Sequence, residues 1–347
     1  MSADPLSDVI SSIRLTGSVF FRVECAAPWV AEAPPSSVIA GRVMPGVDHV
    51  IEFHAVTRGR CVGGIVGEEP IALEAGDFLC FPHGDPHVLA SAPGLRATPD
   101  LSAYERPKDV PLPFRVRYGR GPVEVELVCG FLGCDARPFN PLLAALPRVL
   151  RANDRDSLRH GWLSRLVEVA EAETRNPGPA GEGVLSRISE LMFVEVVRRY
   201  VEGLPPNRSG WLAGLCDPHV GRALSALHAR PGDAWTVDGL ARAAGLARSS
   251  LSERFTTLLG EPPMQYLMQW RMQVAAGLLA TTHDGVAAIA GHVGYASEAA
   301  FNRVFKKSVG VPPATWRRRR AAAAAATSRW REPLSISHLL GSHLPGT

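Results

Sequence analysis

Two short stretches gather side chains able to bind a metal. "HVIEFHAVTRG" begins at His49 and carries Glu52 and His54; "GDFLCFPHGDPH" begins at Gly76 and carries His83 and His87. Imidazole and carboxylate together suit several transition metals, so Glu52, His54, His83 and His87 form a candidate metal set. Spacing restricts it. On a strand, side chains two apart share a face and side chains five apart do not. Glu52 and His54 therefore point together, His49 points away, and His87 can join the first pair. The preferred reading is plainer: these histidines brace a turn and the mouth of a strand barrel, with no metal and no cofactor. Sulfur is the second chemistry. Cys25, Cys61, Cys80, Cys129, Cys134 and Cys216 include no CxxC pair, and the chain is not a short secreted one. They read as reduced thiols rather than a disulfide framework.

The elements that carry these residues follow from texture. The 347 residues suffice for two or three domains, and 46% apolar with 20% charged residues fits real cores. The N-terminal "MSADPLSDVISSIRL" carries acids and lacks a basic start with an apolar core. It does not read as a secretory signal. No run approaches the ~20 apolar residues of a membrane span. A cytoplasmic location is expected. Residues 17 to 132 hold short apolar runs broken by Gly and Pro, such as "SVFFRVECA", "RCVGGIV", "DFLCFP" and "VEVELVCGFL". They predict strands in an antiparallel sandwich or barrel. After "FNPLLAALPRVL" the period becomes helical, with Leu185, Ile188, Met192 and Val196 along one stripe. That stripe suits either packing on the barrel or a dimer face. "LPPNRSG" reads as a linker, 215 to 320 as all helix, and 321 to 347 as an alanine run followed by a loose tail. Residues 1 to 214 hold 22 basic against 26 acidic side chains, while 215 to 320 hold 13 against 7. A polyanionic partner is therefore expected at the rear third alone.

That third repeats itself. "VDGLARAAGLARSSLSERFTTLLGEPP" begins at Val237, and "VAAIAGHVGYASEAAFNRVFKKSVGVPP" begins at Val286. Leu240 matches Ile289, Ala241 matches Ala290 and Gly245 matches Gly294. Beyond one extra residue in the second copy, Leu251 pairs with Phe301, Phe255 with Phe305, Gly260 with Gly310 and Pro263 with Pro313. Each copy predicts a short alanine-faced helix, a turn on Gly and a second helix stopped by Gly-x-Pro-Pro. That order is a helix-turn-helix. "MQYLMQWRMQVAAGLLATT" (264–282) reads as one long helix spacing the two units. Two second helices on one chain can enter successive major grooves, ~34 Å apart.

"GYASEAAFNRVFKKSVGVPPATWR" resembles the signature of the AraC/XylS family of bacterial transcriptional regulators, through Gly294, Ser297, Phe301, Arg303, Phe305, Lys306, Gly310, Pro313 and Arg317, with Trp316 where that family usually has Tyr. The resemblance covers about 218 to 320 and implies double-stranded promoter DNA as partner. Carried over by position, it implies Arg248, Ser249, Ser252 and Glu253 as base-facing in the first unit, and Ser297, Glu298, Asn302 and Arg303 in the second. Arg can read guanine, Asn adenine, and Glu can accept from cytosine. Lys306 and Lys307 suit phosphate contacts. The run of arginines at 317 to 320 reads either as a solvated end or as further phosphate contacts.

"GDFLCFPHGDPH" is similar to the second cupin motif through Gly76, Pro82, Gly84 and His87, with Ser91 in place of its trailing asparagine. The resemblance implies a β jelly-roll barrel. The whole order is then a cupin-type sensor (5–150), a helical connector suited to dimerisation (151–208), an all-α domain with two helix-turn-helix units (215–320) and a tail (321–347), an α+β multidomain chain. Such regulators hold a small-molecule effector in the cupin and form homodimers, with RNA polymerase a candidate partner. The front half, about 5 to 150, resembles the cupin class that includes regulators answering reactive chlorine, and that resemblance implies Cys25 and Cys129 as oxidant-sensing positions; buried structural thiols are the preferred reading. The alternative function is a metal-dependent cupin enzyme with a DNA-binding appendage, which would need a complete metal set.

Overall fold

The structure, a computed structural model, describes residues 4–105, 112–154, 161–205 and 209–331, with side chains described to residue 323. The front half runs α1 (Pro5–Ser12), β1 (Thr16–Cys25), β2 (Val30–Ala33), α2 (Ser36–Val43), β3 (His49–Arg58), β4 (Arg60–Ile65), β5 (Ile71–Glu74), β6 (Phe78–Phe81), β7 (His87–Ala90), a 3-10 turn (Leu101–Tyr104), β8 (Phe114–Tyr118), β9 (Val125–Cys134), α3 (Pro141–Ala145) and β10 (Leu150–Ala152). Six strands form one sheet in the order β10-β6-β3-β9-β1-β8, and β2-β7-β4-β5 form the other. This is the cupin jelly roll expected, as two facing sheets. One pairing departs from the antiparallel expectation: β8 lies parallel to β1, with Phe21 opposite Phe114. A parallel pair needs a long connection, and β2 to β7 lie between β1 and the edge strand β8 in the chain.

Alternation decides which side chains face inward. In β1, Val23 and Cys25 enter a core between the sheets with Trp29, Leu73, Phe81 and Leu127. Register sets Phe21 and His54 each opposite Cys129 on β9, one on either side, and Glu52 opposite Phe131. The other face of the large sheet, through Ile51, Phe53, Phe78 and Val128, belongs to a second core.

That second core continues through α4 (Trp162–Arg175) and α5 (Gly181–Glu202). The stripe Leu185, Ile188, Met192 and Val196 is buried here, so it packs on the barrel. A Cβ at Gly17 of β1 would sit 2.3 Å from Ser189 Oγ and 2.5 Å from the Ser186 carbonyl. Glycine lets α5 lie directly on the sheet.

The rear comprises α6 (Trp211–Cys216), α7 (Val220–Ala229), α8 (Val237–Ala244), α9 (Arg248–Leu259), α10 (Pro263–Thr281), α11 (Val286–His292), α12 (Glu298–Val309) and α13 (Pro313–Arg331). Helices α6 to α9 and the first half of α10 share the second core with the barrel. The second half of α10, with α11, α12 and α13, has a core of its own around Phe301, Phe305 and Trp316. The alanine run does extend the last helix; the tail reading over 332–347, and the middle of the linker at 206–208, lie outside the described residues.

Candidate functional site

Two sites emerge, one on the rear helices and one inside the barrel. On the rear helices every matched apolar pair is buried alike: Leu240 and Ile289, Ala241 and Ala290, Leu251 and Phe301, Phe255 and Phe305 are all 3% exposed or less. Gly245 and Gly294 take φ of +70° and +81° in the turns, where a Cβ is disfavoured. Gly260 and Gly310 close α9 and α12 in the left-handed conformation, and Pro263 and Pro313 open the next helices. The repeated Gly-x-Pro-Pro therefore ends one helix and starts another twice over.

With one face of α9 and of α12 buried, the opposite face is in solvent. Arg248, Ser249, Glu253, Ser297, Glu298, Arg303, Lys306 and Lys307 are exposed; Ser252 and Asn302 are half-buried. Some of these have structural partners as well. Arg248 lies 3.4 Å from Asp238. The Ser297 hydroxyl accepts from the Ala300 amide at 3.2 Å, capping α12. Neighbouring Arg254, absent from the expected set, is held 2.8 Å from Asp217; a salt partner 37 residues away leaves no local sequence signal.

The arginine run at 317 to 320 divides between solvent and core. Arg318 and Arg319 are exposed, but Arg317 donates to the Leu279 carbonyl at 3.2 Å and Arg320 is buried. Arg320 pairs with Asp48 and, at 3.1 Å, with Asp135, its guanidinium 4.3 Å from the Trp316 ring centre. Asp135 also holds Arg14 at 2.6 Å. Helix periodicity explains the split: every fourth position returns to the same face, so Trp316 and Arg320 turn inward together.

Inside the barrel lies a cavity of about 230 Å³. Glu52, His54 and His87 are in its lining, with Cys129. His54 Nε2 lies 2.7 Å from His87 Nε2, and His87 Nε2 lies 3.8 Å from Glu52 Oε2. His83 is not with them: its Nε2 donates to the Leu146 carbonyl at 2.9 Å. His49 Nε2 donates to the Pro82 carbonyl at 2.6 Å. His83 thereby leaves the candidate set, His83 and His49 bracing loops, and Glu52, His54 and His87 remain together as a polar cluster. His83 leaves because Gly84, at φ +67°, turns the chain between it and His87. No group of three His, Cys, Asp or Glu among the described residues is disposed to hold a metal ion.

Burial sets the protonation of this cluster. It pushes Glu52 up to about 8 and His87 down to about 4, and holds His54 well below its usual value, His87 adding a smaller push. At neutral pH the three are an uncharged group. Burial also pushes Cys25 up to about 12 and Cys129 well above an ordinary thiol. Both are free and buried. A reactive cysteine is accessible and partly thiolate; these two are neither in this conformation.

Comparison with known proteins agrees with both halves. Residues 4–202 match the family described as Cupin, and 240–319 that described as Helix-turn-helix domain. The chain is 31% identical over 320 residues to a protein of Streptomyces lividans named as an AraC-like transcription regulator, covering 91% of this chain and 98% of that one. It is 27% identical over 271 residues to the RCS-specific HTH-type transcriptional activator RclR of Escherichia coli, covering 77% and 84%. Among solved structures, the DNA-binding domain of AdpA in complex with a target DNA is 28% identical, covering 34% of this chain and 99% of that domain, with a TM-score of 0.29.

Proposed function

The chain belongs to the AraC-type transcriptional regulators with a cupin front domain, and from that premise we propose how it divides the work. It is a DNA-binding regulator, not an enzyme; the enzyme alternative finds no support among its relatives. Helices α9 and α12 are the recognition helices. Arg248, Ser249, Ser252, Glu253, Glu298, Asn302 and Arg303 meet base edges, Ser297 caps and contacts, and Lys306 and Lys307 hold phosphates. The observation that carries this reading is the doubled pattern: equivalent apolar residues buried in both units, leaving equivalent polar faces in solvent.

The test is a gel-shift series across salt with nonspecific competitor, using promoter fragments selected from the host genome. A complex on a selected fragment that survives competitor supports the reading. Binding that vanishes with the electrostatic share alone overturns it.

The barrel cavity holds the effector, and the chain acts as a homodimer. A cavity with a buried polar cluster favours a small molecule over direct oxidation of Cys25 or Cys129, whose thiols burial holds protonated. Dimerisation is supported by Trp162 and Val169 on α4 and Val184 and Leu191 on α5, large apolar side chains left 41% to 51% exposed. Each pair is seven residues apart, which returns to one helix face. Leu191→Glu should convert a dimer to a monomer in sedimentation; a wild-type monomer would remove the dimer. No described helix is long and apolar enough to cross a membrane, in keeping with a cytoplasmic regulator that works beside RNA polymerase.

A further inference from the structure

The cavity's lining says what kind of molecule fits it. Phe21, Trp29, Tyr104, Tyr118 and Phe131 supply aromatic wall. A cavity of 150 Å³ takes benzene, so about 230 Å³ suits one ring with a short substituent. Among the described residues neither Lys nor Arg lines it. Its other carboxylates are already engaged: Glu32 receives Arg96 at 2.8 and 2.7 Å, and Asp100 receives the Ser102 amide at 2.9 Å. An anion would find no counter-charge among those residues. A cation would require ionised Glu52, and burial disfavours that charge.

Hydrogen-bond roles fix the polar end. His87 Nδ1 donates to the Asp85 carbonyl at 2.9 Å. In a neutral ring its Nε2 is then an acceptor, so His54 Nε2 must donate across the 2.7 Å contact. That leaves His54 Nδ1 without a proton. It is a bare acceptor, and neither it nor Glu52 Oε1 has a hydrogen-bond partner among the described residues. Both atoms are closed to solvent with the rings as placed, so a partner reaches His54 Nδ1 only when its ring tilts.

We infer that the cavity binds an uncharged aromatic molecule of about eight to twelve non-hydrogen atoms bearing one hydrogen-bond donor, a phenol being the simplest case, and that His54 Nδ1 receives that donor after a small tilt of its ring. Glu52, as a neutral carboxyl, can donate to the same hydroxyl. Only the ligand's standing as an effector rests on the regulator reading; its chemistry rests on the cavity.

Calorimetry on the full chain without DNA tests this with four para-substituted toluenes: 4-methylphenol, p-xylene, 4-methylbenzoate and 4-methylbenzylamine. The phenol should bind roughly tenfold tighter than p-xylene, the worth of one good buried hydrogen bond, and both ions should bind more weakly than either. Equal affinity for the phenol and p-xylene, or tightest binding of either ion, overturns the inference. In His54→Phe the phenol's advantage should disappear while p-xylene still binds; an advantage that persists removes His54 as the acceptor. Should that variant not fold, the wild-type series decides alone. A chain that prefers the phenol but fails the promoter gel shift keeps this inference and loses the regulator reading; one that shifts promoter DNA but prefers p-xylene does the reverse.

Discussion

Arg303 and Lys306 stand three residues apart on α12, both exposed, yet their chemistry separates them. A guanidinium can grip guanine with two parallel bonds; an ammonium is a point charge suited to phosphate. Arg303→Ala should therefore cost about 1–3 kcal/mol on the preferred site and little on others. Lys306→Ala should weaken all sequences alike and flatten the salt slope by about one unit. Competition binding against a site library reads both, and equal behaviour of the two variants would undo the assignment. Glu52 offers a test of the cavity instead. Its folded pKa, about 8, lies above the ordinary carboxyl value, so the folded chain binds more protons than the unfolded one between about 4.5 and 8. Stability gained from this group is present at low pH and lost as pH rises through that window. Glu52→Gln keeps the neutral shape. The stability of wild type minus that of the variant should fall from pH 5 to pH 8 in urea melts; a flat difference would mean the carboxyl is not held neutral. His54 and His87, both lowered, act in the opposite direction below about 6.5 in both proteins and cancel in the difference.

The glycines of the repeat show which parts of a helix-turn-helix are set by local chain and which by neighbours. Gly260 has φ +81° and open space where a Cβ would go. Gly294 has the same φ, but a Cβ there would lie 2.5 Å from the Gly232 carbonyl oxygen. Gly260→Ala should cost only the left-handed strain, about 1 kcal/mol. Gly294→Ala must also move backbone between the two units and should cost clearly more. Urea titration of both variants measures the gap, and equal costs would show that the close approach is unimportant. This contrast marks how far sequence could lead. The doubled period, the Gly turns and the Gly-x-Pro-Pro stops are local, and α9, α10 and α12 end within a residue or two of expectation. Alternation likewise gave the longer strands and placed Glu52 with His54. The elements α1, α2, α3, β2, β5 and β10 are short and, unlike the equally short α8, α11 and β6, belong to no repeat and to no apolar run read as a strand. The parallel β1–β8 pair, the departure of His83 and the tyrosines lining the cavity depend on which strands become neighbours, which no local pattern states.

Coupling between sensor and DNA reader comes down to how the two rear units are attached. The first unit shares one continuous core with the barrel, from Phe53 and Phe193 through Leu224 to Trp270, so it cannot shift without opening that core. The second unit has a separate core. It is tied to the front by α10, where Gln273 accepts from the Phe139 amide and donates to the Ser12 carbonyl at 3.1 Å each, and by Arg320 on α13. Arg320 reaches Asp48 and Asp135, and Asp48 directly precedes β3, the strand bearing Glu52 and His54. A ligand that moved β3 would therefore act on Asp48 and, through Arg320, on α13. Removing one partner of a buried ion pair leaves the other charge uncompensated and typically costs about 3–5 kcal/mol; with Asp48 partly exposed and Asp135 still held by Arg14, the lower end applies. Arg320→Ala should raise amide hydrogen exchange across α12 and α13 while α7 to α9 keep wild-type protection. Uniform loss of protection in both units would mean that the second unit is not separately attached, and unchanged exchange would mean that the ion cluster does not hold it.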